Sequence, residues 1–328
     1  MKTISFFDTK PYDKVYFDAY KAKYHIDIIY HETKLNKGSA ILAKNSQGVC
    51  AFVNDTLDRE TLETLCESGI EIVAMRCAGY NNVDLKFAKG KIHIVRVPAY
   101  SPHAVAEATM GMLLTLNRKF HRAYNRTREY NFSINGLNGF DLYGKTIGVV
   151  GTGQIGRIFI KICKGFGMNI LAYDPYPAQD ADFQYVDFNE LCEKSDIISL
   201  HCPLTKESHY IINQKSIEKM KQGVYIINTS RGALIDSDDL LENIKSGKIG
   251  GAALDVYEEE SDFFFEDLSN TIVHDDVLSR LISMPNVLVT SHQAFFTNEA
   301  IENIAKTTLG NFQEFFDVGT LTNEVCYK

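Results

Sequence analysis

Three strand-like runs end in side chains able to do chemistry on a small acid. "YIINTSRG" closes on Thr229, Ser230 and Arg231, "GGAALDVYEEE" on Asp255 and the three adjacent carboxylates Glu258 to Glu260, and "NVLVTSHQAFF" on His292. An arginine can clamp a carboxylate with two parallel hydrogen bonds, a geometry lysine cannot match. A histidine, with an unperturbed pKa of about 6.5, can give a proton to a carbonyl oxygen or take it back near neutral pH. A neighbouring carboxylate favours the imidazolium and orients the ring. Arginine, carboxylate and histidine together suffice for hydride chemistry on a 2-oxo acid. Each also has a plainer reading. Arg231 could cap or pair within its loop, and His201, which ends the strand-like "DIISLH", rivals His292 as a strand-end imidazole. The glutamates could be a solvated charge run, or part of a metal site if ligands converged from other segments. If extended backbone continues past Tyr257, a period of two places Glu258 and Glu260 on one side and Glu259 on the other. Spacing alone does not choose between the outer two.

A cofactor able to carry hydride is suggested by "KTIGVVGTGQIGRIF". Gly151, Gly153 and Gly156 follow a β-rich run and open a helical pattern, and Asp174 closes the next strand about twenty residues on. Glycines there permit a tight turn and close approach of backbone to a pyrophosphate at a helix N-terminus. Asp174 can accept hydrogen bonds from ribose hydroxyls and would repel a 2′-phosphate, so NAD is expected rather than NADP.

These groups need a frame to position them. The chain has 328 residues, enough for two domains, and its 45% hydrophobic and 23% charged composition is that of an ordinary globular protein. A net charge of −8 argues against a nucleic-acid partner. The one basic cluster, Asn117 to Arg128, reads as a solvated helix face or an interface. No apolar run reaches a membrane span and the N-terminus lacks a signal core, so no membrane partner and a cytoplasmic location are expected. Seven scattered cysteines without a Cys-x-x-Cys pair fit neither a disulfide framework nor a zinc site, and no metal is expected.

Five β-branched runs alternate with helical patterns over the first hundred residues: "TISFFD", "HIDIIYH", "GVCAFVN", "IEIVAMRCAG" and "IHIVRVP". That alternation predicts βαβ units and a parallel sheet. A helix is expected from Pro102 to about Tyr130. A second series follows, "KTIGVVG", "MNILAYD", "DIISLHC", "GVYIINTS", "GGAALDVY" and "NVLVTSH", whose near-continuous apolar runs suit strands buried on both faces. Residues 298–317 read as a terminal helix. Because the glycine turn lies in mid-chain behind a complete α/β unit, the substrate domain comes first.

Taken in order, "GTGQIG", "YDP", "NTSRG", "ALDVYEEE" and "SHQAFFT" resemble the D-2-hydroxyacid dehydrogenase family. Upstream, "RCAGYNNVDL", "VRVPAYSPHAVAEATMGMLL" and "GFDLYGKTIGVVGTG" resemble its bacterial fermentative D-lactate dehydrogenase branch. The resemblance spans nearly the whole chain and implies an α/β fold of two doubly wound parallel-sheet domains. An NAD-binding Rossmann domain, residues 101–298, would be inserted into a flavodoxin-like catalytic domain, residues 1–100 plus 299–328. It implies Arg231 as substrate binder, His292 as proton donor and, five positions after Asp255, Glu260 as the carboxylate paired with that histidine. It assigns NAD contacts to Gly151, Gly153, Gln154, Ile155, Gly156, Asp174, Cys202, Pro203, Thr229, Ser230, Arg231 and Asp255. Substrate contacts fall to the backbone of Ala78 and Gly79, to Tyr100 and to Phe295, beside Arg231 and His292. Ser208 stands where relatives usually carry an asparagine near the cofactor. The implied reaction is reduction of pyruvate to D-lactate with NADH by a homo-oligomer, dimer or tetramer. Two alternatives stand beside it: a bulkier 2-oxo acid as substrate, and an NAD-sensing interaction protein that keeps the fold as a binding module.

Overall fold

The computed structural model describes residues 1–260, 263–319 and 321–327. In chain order the first elements are β1 (Lys2–Phe6), α1 (Pro11–Lys21), β2 (Ile26–Tyr30), β3 (Gly48–Ala51), α2 (Arg59–Glu67), β4 (Ile72–Met75), α3 (Leu85–Ala88) and β5 (His93–Arg96). Next come α4 (Pro102–Arg118), α5 (Phe120–Arg128), β6 (Thr146–Val150), α6 (Gln154–Gly165), β7 (Asn169–Tyr173), β8 (Gln184–Tyr185), α7 (Phe188–Lys194) and β9 (Ile197–Leu200). The rest are α8 (Gln214–Lys219), β10 (Val224–Asn228), α9 (Ser237–Lys245), β11 (Ile249–Leu254), α10 (Asp276–Ser283), β12 (Val287–Val289) and α11 (Asn298–Asp317). They fall into two compact units, Met1–Ser101 with Phe296–Lys328, and Pro102–Phe295.

In the first unit five parallel strands lie in the order β2-β1-β3-β4-β5, the flavodoxin-like arrangement. Strands β3 and β4 are buried along their whole length, which is why they read as unbroken apolar runs. The terminal helix α11 closes this unit. Its buried positions Ile301, Ile304, Ala305, Thr308, Leu309 and Phe312 repeat at helical spacing and form one face.

In the second unit seven parallel strands run β12-β11-β10-β9-β6-β7-β8. Counted from β6 this is the Rossmann order, with strand direction of travel reversing between β6 and β9. Val149, Ile197, Ile198, Ile226, Ile227, Ala252 and Ala253 are fully buried at its centre. Burying one large aliphatic side chain contributes about 1.5–3 kcal/mol, so this row fixes strand order firmly. The parallel sheet aims every strand's carboxyl end at one edge, and that edge carries the glycine turn, Arg231, Asp255 and His292.

Two sequence expectations need correction. The helix expected from Pro102 to about Tyr130 is two helices. Lys119 takes a left-handed conformation, φ 53°, which breaks the run between α4 and α5. The buried Asn117 amide holds Phe140 at the break, donating to its carbonyl at 2.7 Å and accepting from its N–H at 2.9 Å. Strand β8 is a two-residue edge strand without an apolar run, and periodicity gave no sign of it.

Candidate active site

The glycine turn joins β6 to α6. Gly151 has φ +96°, and a Cβ there would lie 2.6 Å from the backbone of His201 and Cys202. A Cβ on Gly156 would lie 2.1 Å from the Gly151 carbonyl oxygen, so helix and turn touch directly. Around Gly153, the N-cap of α6, a Cβ would meet nothing within 4 Å. Two glycines are therefore demanded by packing, and the third faces open space at the helix N-terminus. Gln154 is exposed beside it and Ile155 half-buried.

Asp174 follows β7 and is half-buried. Its Oδ2 accepts from the Thr152 N–H at 2.7 Å and the Thr152 hydroxyl at 3.0 Å, and Oδ1 accepts from the Tyr176 N–H at 2.9 Å. A carboxylate offers about four lone-pair directions, so acceptor capacity remains for a ribose hydroxyl. The open helix start and the anchored carboxylate fit a dinucleotide. Cys202 and Pro203 follow β9, and burial pushes the Cys202 thiol up to about 11, which keeps it neutral. Ser208 bonds within this loop, its hydroxyl donating to the Pro203 carbonyl at 2.7 Å.

His201 is set apart from proton transfer. Its ring packs on Phe159 with centroids 4.9 Å apart, and burial lowers its pKa to about 3. It is a neutral imidazole throughout the physiological range.

The loop after β10 is built by Asn228, a buried side chain that sequence reasoning passed over. Its amide donates to the Arg231 carbonyl at 2.8 Å and its carbonyl oxygen accepts from the Ser230 N–H at 3.0 Å. An asparagine at the last position of an apolar strand is the signal that could have found it. Thr229 shares a 2.9 Å hydrogen bond with Thr109 of α4, and Arg231 donates to the Ser230 carbonyl at 2.6 Å.

His292 and Glu260 meet: imidazole Nδ1 lies 3.0 Å from Glu260 Oε1. His292 is held in a left-handed conformation, φ 53°, with its N–H donating to the Asp255 carbonyl at 2.7 Å. Asp255 is buried and its carboxylate organises the same loop. It accepts from the Thr290 hydroxyl at 2.6 Å, the Gln293 N–H at 2.9 Å and the Ala294 N–H at 2.8 Å. Burial raises its pKa, and these three hydrogen bonds oppose the rise. Its known partners are thus protein groups. With Nδ1 on Glu260, His292 presents Nε2 as its remaining ring nitrogen.

The glutamates form a turn, with no continuing extended strand. Glu259 is exposed, while Glu258 and Glu260 are half-buried and take different partners: Glu258 the Tyr210 phenol, Glu260 the imidazole. The inside-outside split holds, although it comes from the turn and not from a period of two. Of the phenylalanines that follow, Phe264 is buried in the core and Phe265 places its ring 5.8 Å from that of His292. Phe295 approaches the imidazole edge-on at 6.3 Å. Ser261 and Asp262 lie outside the described residues.

In the first unit, Ala78 and Gly79 lie half-buried in the loop after β4. The Arg96 side chain donates to the Ala78 carbonyl at 2.8 Å and the Cys77 thiol to that of Gly79 at 3.2 Å. Tyr100 is half-buried, its carbonyl bonded by Asn303 of α11 at 2.8 Å. Among the described residues no three His, Cys, Asp or Glu side chains converge to hold a metal ion, and no helix is long and apolar enough to cross a membrane.

Comparison with known proteins gives this geometry a context. The family model "D-isomer specific 2-hydroxyacid dehydrogenase, NAD binding domain" matches residues 110–294. A 2-hydroxyacid dehydrogenase homolog of Haemophilus influenzae is 52% identical over 94% of both chains. The D-lactate dehydrogenase of Escherichia coli is 49% identical over 98% of this chain and 99% of its own. The apo-structure of an E. coli D-lactate dehydrogenase superposes with a TM-score of 0.90 at 46% identity, covering 98% of this chain and 99% of the other. The chain belongs to the D-isomer specific 2-hydroxyacid dehydrogenase family of oxidoreductases and carries that family's NAD-binding domain.

Proposed function

We propose that this protein is an NAD-dependent D-lactate dehydrogenase that reduces pyruvate, with His292, Glu260 and Arg231 carrying the chain's part of the reaction. The observation that carries this reading is the 3.0 Å contact of His292 Nδ1 with Glu260 Oε1 at the carboxyl edge of the NAD-domain sheet. The glycine turn, Gln154, Ile155 and Asp174 would hold the dinucleotide, with Cys202, Pro203 and the Thr229–Arg231 loop along its path. NADH, when bound, supplies the hydride. His292 donates a proton from Nε2 to the carbonyl oxygen as negative charge develops there, and takes it back in the reverse direction. Glu260 accepts from Nδ1 and fixes the ring so that Nε2 faces the carbonyl oxygen. Arg231 pairs with the substrate carboxylate and polarises the carbonyl. Asp255 acts by shaping the His292 loop.

The unit of residues 1–101 and 296–328 is the proposed substrate domain, with the backbone amides of Ala78 and Gly79 offered to the carboxylate. Tyr100 is its proposed apolar lining, and Phe295, in the other unit, is the proposed aromatic wall beside His292. The protein is taken as a cytoplasmic homo-oligomer. Free cysteines at all seven positions support a reducing compartment, and the exposed Phe120, Tyr124, Tyr130, Phe132 and Ile134 support self-association. Sedimentation measures the latter.

The second reading, a bulkier 2-oxo acid, is favoured by the aromatic rings of Phe265 and Phe295 beside the imidazole. Initial rates with NADH and pyruvate, 2-oxobutyrate, 2-oxoisocaproate and phenylpyruvate decide between them. Pyruvate among the best by kcat/KM, with D-lactate as product on chiral analysis, supports the first reading. NADH binding without turnover on any of these acids points to a sensing protein. His292→Ala is expected to lower kcat by at least about a hundredfold while NADH binding stays near wild type.

A further inference from the structure

Glu260 is useful only if the turn that carries it is held still. Within it the Tyr257 N–H reaches Glu260 Oε2 at 3.2 Å and the Glu260 N–H reaches the Tyr257 carbonyl at 3.4 Å, while the Glu260 carbonyl accepts from the N–H groups of Phe263 at 3.1 Å and Phe264 at 2.8 Å. Three consecutive carboxylates add mutual repulsion. Two further restraints come from outside the turn.

One is Gly232, next to Arg231. A Cβ there would sit 2.0 Å from the Tyr257 carbonyl carbon and 2.3 Å from the Glu258 nitrogen, so the arginine loop and the glutamate turn lie backbone to backbone. The other is Tyr210, in the loop between β9 and α8, whose phenol donates to Glu258 Oε1. Tyr210 itself adopts a left-handed conformation, φ 50°, an uncommon choice for a bulky residue. It is kept there by its N–H donating to the Ala233 carbonyl at 2.9 Å and by Asn213 Nδ2 donating to its own carbonyl at 2.7 Å. The neighbouring Ile212 N–H bonds the Leu234 carbonyl at 3.0 Å, and the His209 ring lies against the phenol at 3.8 Å between centroids. The backbone of Tyr210 is therefore tied to the arginine loop and its side chain to the glutamate turn.

We propose that Tyr210 and Glu258 are a positioning pair that locks the glutamate turn onto the arginine loop, so that Glu260 meets His292 while Arg231 stays in register with both. The proposal rests on the reading of His292 and Glu260 as the proton-donating pair. It gives the second inward glutamate of the run a role: Glu258 anchors the turn through the phenol, leaving Glu260 for the imidazole. The phenol is a donor at every working pH, because its hydrogen bond to Glu258 pushes its pKa up to about 12, with Asp236 and Asp238 adding to the rise. Among the described residues Glu260 in direct contact and the buried Asp255 act on His292, and the Tyr210 phenol bonds Glu258. Any effect of Tyr210 on proton transfer must pass through the turn.

The test uses Tyr210→Phe, Glu258→Ala and Glu258→Gln in the full chain, with melting temperature as a check on folding. The readouts are kcat and KM for pyruvate reduction across pH 5–9 and NADH affinity by fluorescence. Tyr210→Phe and Glu258→Ala are each expected to lower kcat about tenfold, short of the hundredfold that displacing a reacting group by an ångström can cost. NADH affinity should stay within about twofold of wild type. In both variants the limb on which reduction fails with rising pH should move, because the Glu260 carboxylate no longer rests 3.0 Å from the imidazole. Glu258→Gln keeps an oxygen that accepts from the phenol and should stay near wild type. The double variant Tyr210→Phe/Glu258→Ala should be no worse than the poorer single one.

An unmoved pH limb in both single variants overturns the proposal, as do losses that multiply in the double variant. If Tyr210→Phe does not fold, the two Glu258 variants alone decide by the same criteria. His292→Ala separates the layers. If it keeps wild-type turnover, the reading of the proton donor fails and this proposal falls with it. If it abolishes turnover while the Glu258 and Tyr210 variants behave as wild type, only the positioning role is lost.

Discussion

Two arginines follow parallel strands in this protein, and they meet opposite fates. Arg76, after β4, is buried between the rings of Phe6 and Phe52, 4.7 and 4.3 Å from their centroids. It donates to the carbonyls of Phe7 at 3.3 Å and Asp8 at 2.7 Å and faces the carboxylate of Asp13 at 3.5 Å. Arg231, after β10, is half-buried and donates to the carbonyl of its own neighbour, Ser230. The first guanidinium is sealed between two rings and donates to three acceptors, so it serves the fold; the second, among the described residues, gives a hydrogen bond to Ser230, with five N–H donors in its fork. Position at a strand's carboxyl end is shared, and what separates the two is how many donors the protein has already used.

That contrast breaks if Arg231 turns out to be structural. Arg231→Lys keeps the charge and loses the fork. It should cut kcat/KM by about a thousandfold, near 4 kcal/mol of transition-state stabilisation, with the melting temperature unchanged. Steady-state kinetics beside a thermal melt read both, and a fall in melting temperature with modest kinetic loss would erase the distinction. Arg76→Met should do the converse. Asp13 would be left buried without its cation, at a cost of about 3–5 kcal/mol by urea unfolding, while Asp8 keeps the Lys10 ammonium at 3.0 Å.

Carboxylates around Arg76 sharpen the comparison further. Asp55 accepts from the backbone N–H groups of Leu35 and Phe52, each at 2.6 Å, yet burial raises its pKa to about 6. A raised carboxyl pKa contributes stability that is complete below about 3.8, the unfolded value, and is lost as pH climbs through about 6. Asp55→Asn has no such loss. The stability of the variant relative to wild type should therefore improve between pH 4 and 7, by up to about 3 kcal/mol. Urea titrations at several pH values measure the difference, and a gap that stays constant would mean that Arg76 fully compensates the buried charge.

How far the sequence could be read follows the same division. Strands β3, β4 and β9, buried along their whole length, announce themselves as apolar runs, and the partly exposed β2 still shows as a β-branched alternation, whereas β8 has two residues and no such pattern. The glycine turn was legible because its constraints are local: a left-handed Gly151 and a crowded Gly156 leave few residue types possible. The break at Lys119 was not, because it depends on Asn117 gripping Phe140, more than twenty residues away. Tyr210 was missed for that reason too, because it works through partners on other loops, whereas the Asn228 contacts are local and its place at the end of an apolar strand was the overlooked signal. The resemblance implies Asp255 as a cofactor contact, and what its carboxylate does within the protein, bonding Thr290, Gln293 and Ala294, is a matter of loop geometry that the resemblance did not carry.

The smallest effects are expected where identical residues stand side by side. Glu259 and Glu260 are neighbours of one chemistry, but Glu259 is exposed and Glu260 lies 3.0 Å from the imidazole. Glu260→Gln replaces an anion beside His292 with a neutral acceptor. The falling limb of kcat/KM for reduction should move to lower pH, with about a tenfold loss near neutrality. An exposed charge is screened by water and salt and contributes about 0–1 kcal/mol. Glu259→Gln should therefore leave both the rate and the pH profile where they were. Two variants, one pH series and one substrate give the answer. If the profile moves with Glu259 instead, proximity in the turn has been misassigned, and the distinction drawn between the arginines, that function follows unspent contacts and not residue type, fails at the carboxylates.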